Sequence, residues 1–186
     1  MMVRTTYLEQ LSPDAVRPAR EPADSVDVVQ VGLPAPEFSR FLYATVGGDW
    51  HWTDRLAWTR DTWLSYLSKP MVETWVGWVR GTPAGYVELT GVSTGEVEVA
   101  YFGLLPGFLG RGLGGHLLTV GLRLAWSMAS RWPGAEPVRR VWVHTCSLDG
   151  PAALANYRAR GMEPYRTEDA EVEVPDSPPG SWPSTR

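Results

Sequence analysis

Leu104-Leu105-Pro106-Gly107-Phe108-Leu109-Gly110-Arg111-Gly112-Leu113-Gly114-Gly115-His116-Leu117-Leu118 reads as the end of a strand, a glycine loop and the start of a helix. Upstream, Glu96 to Leu105 has the β-branched and aromatic content of a buried strand. Downstream, Leu113, Leu117, Val120, Leu124 and Met128 recur at helical spacing. Five glycines therefore occupy a strand-to-helix turn. Such a turn tolerates positive φ, lets an anion approach the amides closely, and ends on the unpaired N–H groups and positive dipole end of a helix. The loop is a candidate phosphate cradle.

Before the loop, Val72 to Arg80, Ala84 to Thr90 and Glu96 to Leu105 form three strands with short turns at Arg80-Gly81-Thr82-Pro83 and Gly91 to Gly95, the pattern of an antiparallel meander. Further back, residues 3–11 alternate weakly and read as an edge strand, and Ser12 to Asp24 reads as a loop. Ser25 to Val31 is a strand, and Glu37 to Val46 and Thr59 to Ser68 are helices. After the loop the helix runs to about Arg131. Val138 to His144 is a strand, Pro151 to Arg160 a helix stopped by Gly161, and Glu163 to Thr167 and Glu171 to Val174 are the last strands. This order predicts an α+β fold on a mixed sheet. One domain is expected over 1–175, with 1–24 as an N-terminal extension packed on it and 176–186 as a flexible tail with three prolines.

Composition narrows the function classes. At 186 residues and 44% hydrophobic content the chain can bury a substantial core, and a net charge of −4 gives no general attraction to nucleic acid or to an anionic membrane. No stretch is apolar enough to span a bilayer. Cys146 is the sole cysteine, which fits a reducing, cytoplasmic setting. The three histidines and this cysteine show no zinc-ligand spacing, so no metal is expected.

Gly110-x-Gly112-x-x-Gly115 also satisfies a dinucleotide fingerprint, but that fold wants the loop in its first strand–helix unit and an acidic residue ending the next strand; here the loop follows a meander and the next strand ends in His144-Thr145. A Walker loop fails because Gly107-x-x-x-x-Gly112 is followed by Leu113 and Gly114. Pro106 to Leu118 instead resembles the acetyl-CoA-binding motif of the GCN5-related N-acetyltransferase (GNAT) family, Arg/Gln-x-x-Gly-x-Gly/Ala, in the form Leu109-Gly110-Arg111-Gly112-Leu113-Gly114. A second family signature, Ala-x-x-x-Tyr-x-x-x-Gly, is similar to Ala153-Leu154-Ala155-Asn156-Tyr157-Arg158-Ala159-Arg160-Gly161. The resemblance covers roughly residues 25–175. It implies a mostly antiparallel central sheet with helices on both faces, acetyl-CoA as co-substrate, and a primary amine of a small molecule or peptide as acceptor. Leu109 departs from the family's Arg/Gln, which removes one customary contact to the cofactor pyrophosphate and leaves Arg111 as its nearest substitute.

Acyl transfer to an amine needs a deprotonated nucleophile, stabilisation of the oxyanion, and a proton for the thiolate. Glu96 and Glu98 lie in an otherwise apolar strand and by alternation share a face with Ala100 and Phe102. The family's strand Glu corresponds to Glu98, the expected base, against a solvated or paired carboxylate. The resemblance implies that the strand splays near Phe102, Leu104 and Leu105 to grip the pantetheine arm, and that Gly110, Arg111, Gly112, Gly114, Gly115 and Asn156 meet the cofactor. It also makes Tyr157 the thiolate's proton donor; the alternative is a buried structural tyrosine. Trp50, His51 and Trp52 are candidates for an aromatic wall over a cationic or ring-bearing amine, with Asp54 or Asp49 holding the ammonium and His144 lining the pocket; the competing reading has the tryptophans packing the two helices. His144, Cys146 and Asp149 raise a cysteine-nucleophile alternative, and a non-catalytic acyl-CoA-binding module is the rival from another class. The Trp-rich surface and the tail are candidates for a homodimer contact.

Overall fold

The computed structural model of the protein describes residues 1–92 and 94–182; the last part of the expected tail, 183–186, lies outside the described residues. The elements in chain order are β1 (Met2–Gln10), β2 (Asp27–Gln30), α1 (Pro36–Gly47), α2 (Arg60–Leu67), β3 (Val72–Val79), β4 (Thr82–Val92), β5 (Glu96–Leu104), α3 (Leu113–Trp126), β6 (Arg140–Cys146), α4 (Ala153–Ala159) and β7 (Glu163–Glu171). Among the described residues seven strands form one sheet in the order β2-β3-β4-β5-β6-β1-β7. Each neighbouring pair is antiparallel except β5 and β6, which are parallel because α3 carries the chain across between them. The mixed sheet anticipated from the element order is present.

Both faces of the sheet are covered, which is why β4 is buried continuously from Ala84 to Leu89 instead of alternating. On one face Leu118 and Leu122 of α3, with Met128 just beyond it, meet Val87, Leu89, Val97, Val99, Val141 and Val143, and Tyr157 of α4 joins the same cluster. Each fully buried leucine there contributes about 1.5–3 kcal/mol relative to exposure. On the other face Leu42 and Val46 of α1 pack against Val76 and Tyr86. The helices are thus set by apolar residues at 3.6-residue spacing over a sheet with two apolar sides.

Three expectations need correction. Met2–Gln10 is not an edge strand: it lies between β6 and β7, with Leu8 and Gln10 buried. Its polar Thr5 and Thr6 pair on both sides, and side-chain polarity does not record a strand's place in the sheet. The two terminal strands are one, β7, which pairs along β1 across a register shift at Tyr7/Leu8. The long helix stops at Trp126 and continues as a 3-10 turn over Met128–Arg131, where Arg131 and the indole N–H of Trp132 both donate to the buried Glu73 carboxylate of β3.

A β-bulge has the largest consequence for the site. Pairing between β4 and β5 jumps from Glu88↔Tyr101 to Leu89↔Val99, leaving Ala100 as the extra residue. Alternation therefore breaks at Ala100. Glu98 and Phe102, expected on one face, lie on opposite faces: Phe102 joins the α3 side with Val99 and meets the Tyr157 ring edge-on at 6.0 Å, while Tyr101 turns to the α1 side.

Candidate active site

The parallel pairing of β5 with β6 covers only Glu96↔Arg140, Val97↔Val141 and Glu98↔Trp142. Beyond that last rung both strands continue, β5 to Leu104 and β6 to Cys146, without pairing to each other. The sheet opens there as a fork, and the backbone groups that would have bridged it have no ladder partner. A cavity of about 700 Å³ fills the fork, bounded by the α1–α2 loop on one side and by the glycine loop and α4 on the other.

The glycine side is built by local rules. Pro106–Phe108 makes a 3-10 turn, Gly110 and Gly112 take φ of 74° and 77°, and Gly112 is the residue before the first turn of α3. No side chain caps α3, whereas the Thr59 hydroxyl accepts from the Thr62 N–H at the start of α2. The first amides of α3 therefore stay available to an anion in the cavity that Gly110, Gly112, Gly114 and Gly115 line. Gly115 has a second reason to be glycine: a Cβ there would lie 2.7 Å from Arg160 Nη1 and 3.0 Å from the Ala19 methyl.

Of the residues expected at the cofactor, Phe102, Leu104 and Asn156 also line the cavity, with the Asn156 carbonyl oxygen accepting from Arg160 Nη1 at 3.4 Å. Two do not. Leu105 packs beside α1 and β3, because the bulge has already changed which side each residue faces. Arg111 does not stand in for Leu109: its Nη2 is 2.5 Å from Asp24 Oδ2 and its guanidinium lies over Phe108. Leu109 itself lines the cavity, half exposed. Among the described residues no Arg or Lys side chain lines this cavity, so an anion there relies on backbone amides and the dipole of α3.

Tyr157 is buried at the α4 side of the fork, and its hydroxyl makes no hydrogen bond among the described residues. Burial, and then the charge of Asp149, push its pKa well above the ordinary phenol value, so the group stays protonated at neutral pH. Asp149 is spent structurally: its carboxylate accepts from the Thr145 hydroxyl at 2.6 Å, the Cys146 amide at 3.0 Å and the Trp52 indole N–H at 3.3 Å. Burial and the same carboxylate raise the Cys146 thiol pKa, the opposite of what activates a cysteine nucleophile.

Trp50, His51, Trp52, Asp54 and His144 all line the cavity. Trp52 packs against Tyr43 and Tyr101 at 5.6 and 4.9 Å, and the Trp50 ring lies over Gly150. The loop that carries them turns at His51, which holds φ at 58°. Behind it Arg55 is buried: its guanidinium reaches both Glu88 oxygens, at 2.8 and 3.1 Å, and lies over the rings of Trp58, Trp63, Tyr66 and Tyr101. That anchor, together with Tyr43 and Tyr101, escaped the sequence reading. An isolated arginine in a polar loop gives no sign that it will meet a strand glutamate more than thirty residues on.

Glu98 does not line the cavity. It stands at the apex of the fork, about a quarter exposed, with Oε1 3.4 Å from His144 Nδ1. Glu96 is paired with Arg140 at 3.2 Å, away from the cavity. Among the described residues no group of three or more His, Cys, Asp or Glu side chains could hold a metal ion, and no helix is long and apolar enough to cross a membrane.

The model of the acetyltransferase (GNAT) family matches residues 37–162. Similar solved structures include a GCN5-related N-acetyltransferase from Kribbella flavida, with 22% identity and a TM-score of 0.61 over 89% of this chain and 57% of that one. Another is a GCN5-related N-acetyltransferase from Sphaerobacter thermophilus, with 14% identity and a TM-score of 0.64 over 89% of this chain and 50% of that one. A tandem GNAT protein from the clavulanic acid biosynthesis pathway shares 18% identity, with a TM-score of 0.51, over 92% and 54%. These likenesses are of fold, and the chain spans only about half the length of each of these proteins. No match to a curated protein is found.

Proposed function

Because the chain belongs to the GNAT acetyltransferase family, we propose that it transfers an acetyl group from acetyl-CoA to a primary amine of a small molecule or peptide by direct attack within a ternary complex. The observation that carries this reading is the fork: β5 and β6 part after Glu98↔Trp142 and open onto an uncapped, glycine-rich helix start on one side and an aromatic loop on the other. The α3 amides fit a pyrophosphate, the unpaired β5 edge fits an extended amide-bearing arm, and the cavity fits a thioester and an amine side by side. Tyr157 serves as hydrogen-bond donor to the departing sulfur. Trp50, His51 and Trp52 face the acceptor, and Asp54 holds its ammonium group. The pair Glu98 and His144 removes the proton.

Among the described residues the lining has no Arg or Lys but carries Asp54 and Asp149, which supports an acceptor that is cationic or neutral and ring-bearing, not anionic. A cytoplasmic setting belongs to the same proposal, and a lone free thiol is compatible with a reducing compartment. Calorimetry with acetyl-CoA and CoA tests the cofactor, and thiol release across amines, polyamines, amino acids, aminoglycosides and peptides tests the acceptor. Failure to bind either CoA species would sink the reading. Tight binding without thiol release to any amine would favour the non-catalytic acyl-CoA-binding module.

A further inference from the structure

The proton-removing pair divides unequally between its members. His144 lines the cavity and Glu98 does not, although the two touch. His144 sits two residues past the last β5–β6 rung, on the diverging part of β6 and on the face opposite the α3 core, where Val141 and Val143 point the other way. Its Nδ1 faces Glu98 Oε1 at 3.4 Å, an ion-pair contact longer than an ordinary N–H···O hydrogen bond. A carboxylate on that side favours the tautomer with the proton on Nδ1 and a free lone pair on Nε2.

We infer that His144 Nε2 is the base that takes the proton from the attacking amine, and that Glu98 is its positioning residue. The inference rests on the acetyl-transfer reading above. In the step, the bound ammonium first loses one proton to solvent, which frees its lone pair; the amine nitrogen then bonds to the thioester carbonyl carbon and its N–H proton passes to Nε2. The C–S bond then breaks with its electron pair on sulfur, and the thiolate takes the Tyr157 proton. The imidazolium returns its proton through solvent and the phenolate regains one, so that amine and thioester become amide and free thiol.

The groups facing the imidazole are few. Glu98 comes from β5, the Tyr7 ring from β1 at 5.8 Å, and Trp142 from its own strand at 6.2 Å. Asp149 and Asp54 approach from the two loops, and behind Tyr7 lie Arg166, Glu168 and Tyr165 of β7. The Glu98 carboxylate facing Nδ1 raises the His144 pKa above the ordinary histidine value; burial opposes it, and Asp149 and Asp54 add to it. A base tuned upward from that value titrates close to working pH.

The test uses acetyl-CoA as donor, with phenylethylamine as acceptor in one arm and water alone in the other, and reads thiol release as kcat/KM against pH. The wild type should rise along a limb above the ordinary histidine value. Glu98→Gln should keep that limb but move it to lower pH, and His144→Gln should abolish it and lower kcat by roughly 10²-fold or more. Acetyl-CoA binding by calorimetry should be unchanged in both variants, which also shows that they fold. A limb that survives His144→Gln and vanishes in Glu98→Gln overturns the assignment and makes Glu98 the base. An NMR titration of the imidazole needs no turnover: a His144 midpoint that Glu98→Gln leaves in place removes the positioning role. Binding with no thiol release in either arm counts against the acetyl-transfer reading, and the NMR titration then decides the pairing of His144 with Glu98 by itself. Failure of the wild type to bind acetyl-CoA overturns the acetyl-transfer reading instead.

Discussion

Replacing Glu88 with glutamine isolates the anchor of the α1–α2 loop. The substitution keeps shape and removes one charge, leaving Arg55 buried at 7% exposure without a counter-ion. The wild-type carboxylate takes two contacts from Arg55 Nη1 and one from the Tyr66 hydroxyl, at 2.7 Å. Breaking a buried pair by removing one partner costs about 3–5 kcal/mol. The four rings around the guanidinium still stabilise the cation, which places the expected loss near the lower end, about 3 kcal/mol. For a chain of this length that corresponds to a fall of roughly 6–12 °C in Tm. Urea unfolding followed by tryptophan fluorescence reads the loss directly. The exposed pair Arg60–Glu37, with both side chains mostly in solvent, is the control, and Glu37→Gln should leave the midpoint where it is. Adding Arg55→Met to Glu88→Gln removes the stranded charge and should recover much of the loss. If Glu88→Gln behaves like Glu37→Gln, the buried pair is not what fastens the loop, and the reasoning fails.

Other outcomes follow from the same geometry. Leu109→Arg should restore a charged contact at the rim and tighten CoA by roughly tenfold in calorimetry, the value of one hydrogen bond to a charged group; unchanged affinity would mean the cradle is saturated by backbone amides. Tyr157→Phe should lower kcat by about 10²-fold with CoA affinity retained, and equal losses in both would mark Tyr157 as packing only. Asp149→Asn should lower the Cys146 thiol pKa, since that carboxylate helps to raise it. More thiolate at a given pH then speeds alkylation by iodoacetamide. An unchanged alkylation profile would detach the thiol from Asp149.

What the sequence makes legible is what is decided locally. Positive φ at Gly110 and Gly112, the helical spacing of Leu113, Leu117 and Leu124, and the placing of Tyr157 within a short helix each depend on a few neighbouring residues. The pairing partners are another matter. β1 reads as an edge because nothing in Thr5 or Thr6 says that strands will lie on both sides, and Arg111 reads as free because Asp24 lies far back in the chain. The tryptophans divide for the same reason. Trp63 is buried to 1% beneath the loop, whereas Trp50 and Trp52 line the cavity, and only tertiary packing separates them. The family resemblance singles out Glu98 within one strand, yet its contact with His144 needs two strands that are parallel for three rungs and then part.

The extra residue at Ala100 reaches beyond β5 itself. Because side chains on a strand have a period of two, one inserted residue works like a frame change: it lets a single strand present Glu98 and Tyr101 to one side of the sheet and Val99 and Phe102 to the other. Substitutions along β5 act one position at a time, but drawing Ala100 into the ladder would exchange the sides of everything after it, carrying Tyr101 away from the Arg55 cage and Phe102 away from Tyr157 in one event. Deleting Ala100 would instead leave both rings on the sides they hold, in a strand that no longer bends there.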